Sequence, residues 1–454
     1  MNGPPLRRSY GVVTASALVV ANMIGAGIFT TSGMIVGELP DPIWVLLCWI
    51  LGGAIATAGA LSYAELATRM PREGGEYLYL RELYHPALGF LSGWTSLFVG
   101  FSVPIALSAM GLAAHLAAAL ERRTGALDAL QLLVFQKAAA ILLIAAFTAL
   151  HYRGGRIGPR VQNLLTGLKV LLIAGLGTAG MLFGSGSWSN FSVAGQEALD
   201  PTAFGTAMMM VMYSYSGWNA SAYIAGELRQ PRLTIPVSLI GGTVLVMILY
   251  LLMNVLYFHA APFAELQGRI NVGEVALSRA FGGAMADLLG AVIGLALLSS
   301  LSALIMMGPR VYYAMACDGL FLGFAAVVHP RFDVPSRAIL VQGGIAVAMV
   351  LLGSFESLLI YVGFALGIFP WLAVAGLFRA RRLRIGDDSA LRVASFVPVF
   401  FLATSLLLMV VALVDRPFES IAALLTVAAG LPFYYGWTRF FGGPSDRPDS
   451  SAGR

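Results

Sequence analysis

Charge is scarce in this sequence. Asp, Glu, Lys and Arg together make up 11% of its 454 residues, too little to cover the surface of a water-soluble fold of that length. Cysteine is scarcer still: Cys48 and Cys317 stand far apart, in or beside apolar runs, and offer neither a disulfide framework nor a metal-binding set. The histidines His85, His115, His151, His259 and His329 follow no ligand spacing and fall near expected helix ends, where interfacial roles suffice. Neither an HExxH segment nor a pair of aspartates inside an apolar run occurs, which removes the usual catalytic sets of a membrane-embedded enzyme. The formal net charge of +5 comes from basic residues spread over short connections, so nucleic acid is not an expected partner, and no cofactor is expected either.

Hydrophobic length is what the sequence has in quantity. Hydrophobic residues make up 58% of the chain and the mean hydropathy is +0.81. Apolar runs recur from end to end, each long enough at about 20 residues to cross a hydrocarbon core about 30 Å thick. The expected spans are 12–36, 43–66, 89–118, 131–151, 162–184, 204–227, 235–258, 287–307, 337–354, 357–378, 396–414 and 418–438. Short turn-rich connections separate them, such as Glu38-Leu-Pro-Asp-Pro42 and Arg153-Gly-Gly-Arg156. The longer stretch 261–285 is expected to hold partial helices lying on one face. This is the pattern of an all-α polytopic membrane protein of about twelve transmembrane helices, a single domain over residues 1–441 with a disordered cytoplasmic tail at 442–454. Arg7 and Arg8 precede an uncharged stretch, 11–37, that is too long for the core of a secretion signal and is expected to stay as the first span.

Basic residues set the orientation. With the N-terminus inside, 21 Lys and Arg fall in inside connections and tails, 6 fall in outside ones, and Lys169 lies within span five. That asymmetry places both termini in the cytoplasm and the protein in a cytoplasmic (inner) membrane, and it favours an even number of spans.

Two spans differ from the rest. The first contains Asn22-Met-Ile-Gly-Ala-Gly-Ile-Phe29 and the sixth Tyr213-Ser-Tyr-Ser-Gly-Trp-Asn219, each with glycine and polar groups at the middle of an apolar helix. Their starts are five spans apart, which gives them equivalent places in two halves of opposite topology, about 11–184 and 204–378, with two further helices at about 396–438. Paired interruptions of this kind point to an inverted-repeat transporter with two broken helices at its centre. A break at mid-membrane exposes N–H groups at one new helix end and carbonyls at the other, and such groups survive only around a cavity or a ligand. The N–H end suits a carboxylate and the carbonyl end an ammonium, so a zwitterionic amino acid fits without any charged side chain. Gly25 and Gly27 permit an unwound backbone and close approach of a carboxylate; small-residue helix packing is the other reading of the same glycines.

Lys169 is the second informative residue, with no other charge between Arg160 and Glu197. An ammonium inside a membrane costs several kcal/mol unless it is paired. It either snorkels to the nearby interface or sits against the carbonyls of span one as a fixed cation or a proton site. No acidic residue falls near mid-span; Glu65 and Glu227 lie at cytoplasmic ends, where they read as gate or anchoring partners for arginine-rich loops. This argues against arginine, agmatine or polyamine as the main substrate, although aromatic rings could bind a cation instead.

Ile24-Gly-Ala-Gly-Ile-Phe29 resembles the G-(S/A)-G-I-F signature of the amino acid–polyamine–organocation (APC) superfamily of permeases. Further segments are similar to that family's stretches, in the same order through span eight: Ser62-Tyr-Ala-Glu-Leu66, Pro71-Arg-Glu-Gly-Gly-Glu-Tyr77, Gly89-Phe-Leu-Ser-Gly-Trp94, Ser214-Tyr-Ser-Gly-Trp218, Gly226-Glu-Leu-Arg-Gln-Pro231 and Ala316-Cys-Asp-Gly-Leu320. The resemblance implies a LeuT-like five-plus-five inverted repeat, broken in helices one and six, with alternating access around a central site. It implies that the substrate is held by Ile24, Gly25, Ala26, Gly27 and Ile28 and by Tyr213, Ser214, Tyr215, Ser216, Gly217 and Trp218. The carboxylate would meet the backbone at Gly25–Gly27, and the amine the carbonyls near Ile24 and Tyr213–Tyr215. Thr166-Gly-Leu-Lys169 is similar to the T-x-x-K of sodium-independent members, whose lysine stands where others bind sodium. Ser216 departs from the many relatives that carry Asp or Glu there.

The expected function is sodium-independent transport of neutral L-amino acids, as an exchanger or a proton-coupled importer, with a cationic amino acid or polyamine antiporter as the alternative. The partners are then an amino acid, the lipid bilayer and, in a coupled importer, protons. A channel would call for continuous pore-lining helices with charge rings, not two broken ones. Tyr213, Tyr215 and Trp218, beside the Gly217 hinge, are expected either to wall the substrate or to pack on neighbouring helices.

Overall fold

In lipid every backbone N–H and C=O must find its partner within the segment or a closed barrel, and apolar runs of this length do so as helices. The computed structural model describes residues 6–25, 27–124, 128–154, 157–192, 198–282, 285–353, 367–387 and 391–441. Among them every regular element is helical, and the one extended pairing is an isolated bridge between Tyr10 and Leu228.

Nine helical stretches among the described residues are long and apolar enough to cross a membrane. They are Val12–Glu38, Pro42–Arg69, Pro86–Ala118, Ala129–Tyr152, Ile157–Phe183, Pro231–Ala260, Leu288–Cys317, Phe396–Asp415 and Ser420–Phe440. The other three expected spans fall short for separate reasons. Span six stops as an α-helix at Ser214 and resumes as the 3-10 helix Ala220–Glu227. Span nine is the 17-residue helix Ser336–Leu352. Span ten is seen as Ile368–Leu383, its expected first residues 357–366 lying outside the described residues together with Ala26 and the tail at 442–454. Span eight is longer than the hydropathy pattern predicts. It runs past Met307 through Pro309–Cys317 because the charge that ends the apolar run, Arg310, is buried and paired.

We label the helices that position the site α1 (Val12–Met23), α2 (Gly27–Glu38), α3 (Pro42–Arg69), α4 (Glu76–Leu83), α5 (Pro86–Thr95), α6 (Val103–Thr124), α7 (Ala129–Tyr152), α8 (Ile157–Phe183), α9 (Pro201–Ser214), α10 (Pro231–Pro236), α11 (Gly242–Ala260), α12 (Phe263–Leu266), α13 (Val272–Phe281), α14 (Met285–Met307), α15 (Pro309–Cys317) and α16 (Ser336–Leu352). The stretch expected to hold partial helices contains α12 and α13. One core of buried side chains runs through the bundle, with α1 at its centre packed against α8, α11 and α14.

Packing contacts hold both ends of that centre. Where α1 begins, Ser9 and Tyr10 N–H groups donate to the Glu227 carbonyl at 2.8 and 3.0 Å, and Arg310 clamps the Glu227 carboxylate through Nε at 2.7 Å and Nη2 at 3.2 Å. Glu65 collects Arg69, Arg381 and the Val393 N–H at the same end. Glu65 and Glu227 therefore do partner arginines at the helix ends. At the opposite end the segment between α12 and α13 lies on α2: Gly268 N–H donates to Gly33 O at 2.9 Å, and Gly33 touches the Arg269 carbonyl so closely that no side chain fits.

Candidate functional site

The interruption in the first span follows from its sequence. Helix α1 ends at Met23, Ile24 turns extended (φ −85°, ψ 94°), and α2 starts at Gly27. A helix that stops in apolar surroundings leaves its last carbonyls without intrahelical donors, and here three other spans supply them. Lys169 Nζ of α8 donates to Ile24 O at 2.6 Å, Ala21 O at 3.2 Å and Ala296 O at 3.4 Å. Three carbonyls answer the three N–H donors of an ammonium, and the side chain is fully buried. Its partners among the described residues are carbonyls, not carboxylates. Ser300 Oγ of α14 lies 2.7 Å from Ala21 O and 3.1 Å from Ile24 O. Tyr250 OH of α11 lies 2.8 Å from Met23 O.

Thr166, one helical turn before Lys169 and on the same face of α8, extends this network. It approaches Ala17 O at 3.4 Å and Ser299 Oγ at 3.1 Å, and it accepts a 2.9 Å hydrogen bond from Gln162 Nε2. Span five is thus stitched to spans one and eight along a polar seam inside apolar helices.

The second interruption is a turn, not a gap. Tyr215 leaves the α9 helix, Ser216 N–H bonds back to Tyr213 O at 3.0 Å, and Gly217 takes φ +98°, a conformation that L side chains rarely adopt. The two interruptions touch at both of their ends. Ser214 Oγ is 2.7 Å from Thr31 Oγ1, and a Cβ placed on Gly27 would lie 3.0 Å from the same Ser214 Oγ. Gly217 packs directly on Asn22, where a Cβ would overlap the amide. Tyr250 OH, besides Met23 O, lies 3.0 Å from Ser214 O, so one phenol bridges both breaks.

The expected site residues divide into two groups. Gly25, Gly27, Tyr213, Ser216 and Gly217 keep accessible surface in mid-span, and a Cβ on Gly25 would meet open space. Ile24, Ile28, Ser214, Tyr215 and Trp218 are buried. Tyr215 donates its hydroxyl to Trp49 O at 3.0 Å, and Trp218 is wedged between Tyr63 and Phe401 at centroid distances of 4.9 and 5.5 Å. These two rings support the break, and Tyr213 and Ser216 face the accessible side. Below the turn, Asn219 Nδ2 donates to Glu76 Oε1 at 2.5 Å, and Tyr63 OH donates to the same oxygen at 2.8 Å. Glu76 opens α4, outside the spans; burial pushes its carboxyl above the ordinary carboxylate range, while hydrogen bonds from Tyr223, Tyr63 and Asn219 pull it down.

Tyr250, Ser300 and Thr31 were missed from the sequence. The available signal was a hydroxyl in an otherwise apolar span, since a buried Tyr or Ser hydroxyl needs a partner. Among the described residues no group of three or more His, Cys, Asp or Glu could hold a metal ion.

Comparison with known proteins finds relatives over nearly the whole chain. The serine/threonine exchanger SteT of Bacillus subtilis (strain 168) is 29% identical over 440 residues, which is 95% of this chain and 97% of that protein. The b(0,+)-type amino acid transporter 1 of Mus musculus is 28% identical over 441 residues, covering 95% of this chain and 88% of the relative. The Asc-type amino acid transporter 1 of the same species is 24% identical over 444 residues, at 95% and 81% coverage. A family model described as amino acid permease matches residues 10–433, and with a match of that extent the chain belongs to the amino acid permease family of APC transporters.

Proposed function

We propose that this protein is a sodium-independent secondary transporter of neutral L-amino acids that works by alternating access, as an exchanger or a proton-coupled importer. Twelve membrane helices form one transporter domain over residues 1–441: a LeuT-like pair of inverted repeats at about 11–184 and 204–378, and two added helices at about 396–438. Both termini face the cytoplasm of an inner membrane, by the 21 to 6 bias of basic residues.

The observation that carries this reading is Lys169 Nζ, 2.6 Å from the Ile24 carbonyl at the first break, with no carboxylate beside it among the described residues. A cation fixed on those carbonyls does the structural work of a bound sodium ion, so sodium is not required. The substrate carboxylate meets the N–H end of α2 at Gly25–Gly27, and the amine meets the carbonyl end of α9 at Tyr213–Tyr215. With the Ile24 carbonyl turned to Lys169 and Ser300, the second break supplies the amine's acceptors. The side chain lies beside Tyr213, Ser216 and Gly217, with Trp218 behind them. With serine at 216 and no acid among the described residues beside the breaks, a second positive charge on the substrate has no partner there, which favours neutral substrates. The serine/threonine exchange for which SteT is named fits that class.

The test is counterflow in proteoliposomes preloaded with one unlabelled amino acid, with and without sodium and with and without a pH gradient. Neutral amino acids are expected to drive labelled serine or leucine uptake in sodium-free buffer. Uptake driven only by arginine, lysine or a polyamine, or only with sodium, would overturn the proposal.

A further inference from the structure

We infer that the basic end of the protein holds a binding site for an anionic phospholipid, at a cavity of about 920 Å³ beside the start of α1. Six arginines line it: Arg7 and Arg8 of the N-terminal segment, Arg153 and Arg160 around the start of α8, Arg229 after the second break, and Arg331 between α15 and α16. All six are exposed and none is ion-paired among the described residues. Their neighbours behave differently. Arg69 and Arg381 pair with Glu65, Arg310 with Glu227, and Arg232 with Asp387. The single acid in the cavity wall, Asp333, leaves an excess of five positive charges on its lining.

Guanidinium groups brought together from four separate chain segments repel one another unless an anion lies among them, and their planar forks match the oxygens of a phosphate. A second feature selects lipid over a soluble anion. The cavity wall includes Ile157, which heads an exposed apolar strip down α8: Ile157, Leu164, Leu168 and Leu171 are 56, 69, 44 and 71% exposed and share one helix face. Val13 of the adjoining α1 is 70% exposed. A headgroup among the arginines therefore leaves its acyl chains against bare hydrocarbon, the two-part shape of a phospholipid. The strip lies on α8, whose opposite, buried face carries Lys169, and Arg7 and Arg8 precede α1. A lipid here braces the two helices that Lys169 joins.

The experiment is native mass spectrometry of the delipidated full-length protein in neutral detergent, titrated with dioleoylphosphatidylglycerol, dioleoylphosphatidylcholine or inorganic phosphate. The wild type is expected to retain phosphatidylglycerol, and Arg153→Gln/Arg160→Gln/Arg331→Gln to bind it at least tenfold more weakly. The exposed pair Arg382→Gln/Arg384→Gln, away from the cavity, should bind as wild type does. If the triple variant is not monodisperse, Arg153→Gln and Arg331→Gln singly carry the same comparison. Equal retention of phosphatidylcholine, equal loss in the 382/384 control, or unchanged binding in the cavity variants would overturn the site. Displacement of the lipid by an equal concentration of inorganic phosphate would make it a soluble-anion site instead, and would overturn the lipid assignment.

Discussion

At the scale of single residues, the first break depends on who satisfies its carbonyls. Lys169→Ala takes a shared donor from Ile24, Ala21 and Ala296 and leaves the single hydroxyl proton of Ser300 to serve them, and a buried polar group left unsatisfied costs about 1–3 kcal/mol. We expect transport to fall at least tenfold in Lys169→Ala and equally in the near-isosteric Lys169→Met, with both proteins monodisperse in detergent; wild-type uptake in either would remove Lys169 from the mechanism. Gly217→Ala tests the second break, because alanine must take φ +98° and overlap Asn22. Its left-handed backbone alone costs about 1–3 kcal/mol, so a lower Tm together with lost substrate binding is expected, and a Tm matching wild type would show that the turn relaxes freely. Lys169 and the glycines were legible in the sequence because a charge or a flexible residue in mid-membrane has few innocent explanations. Tyr250 and Ser300 were not, since a lone hydroxyl gives no hint of which of several distant carbonyls it will meet. Tyr250 reaches one break 227 positions away in the chain and the other only 36 away.

At the scale of elements, the breaks were readable and the joints were not. Two glycines and a run of polar residues mark where spans one and six lose their helix, but nothing comparable marks the π-helical turn Ser96–Ser102 between α5 and α6. There the cue is Pro104, whose ring crowds the carbonyl one turn earlier, so the helix widens before it. Helix α4 shows how a loop element can serve the centre. Its first residue, Glu76, is buried and reaches Asn219 at the foot of the second break. Because burial raises its pKa, the stability tied to the protonated carboxyl is present at acid pH and lost as the pH rises through that raised value. Glu76→Gln keeps an acceptor for Asn219 and Tyr63 but carries no charge. The expected result is a Tm advantage of the variant over wild type that grows from about pH 4 to pH 8 in a thermal-shift series, the lower limit lying near the ordinary Glu value. Parallel Tm curves would mean that Glu76 keeps one protonation state throughout.

At the scale of the whole molecule, the two ends must differ in what holds them if access is to alternate. The end facing the α12–α13 segment is held by backbone contact around Gly33, whereas the basic end is held by buried ion pairs, Arg310 with Glu227 and Arg69 and Arg381 with Glu65, and by Tyr10 beside the first. An ion pair is the more easily tuned of the two, because removing one partner leaves the other charge buried and unpaired, a penalty of about 3–5 kcal/mol in closed states. Each ~1.4 kcal/mol moves a two-state population tenfold, so Glu227→Gln is expected to shift the protein strongly toward opening at the basic end. A reporter can be placed at Ser216, which keeps accessible surface beside the Gly217 turn. With Cys48 and Cys317 replaced by alanine and Ser216→Cys added, a membrane-impermeant thiol reagent should label from the side of the basic end at least tenfold faster in Glu227→Gln than with Glu227 intact. Labelling from the opposite side should slow in step, because both openings draw on one population. Saturating substrate should protect the cysteine in both backgrounds. Equal rates with and without the Glu227 charge would show that this pair does not set the equilibrium, and faster labelling from both sides together would mean that the substitution loosens the bundle without switching it.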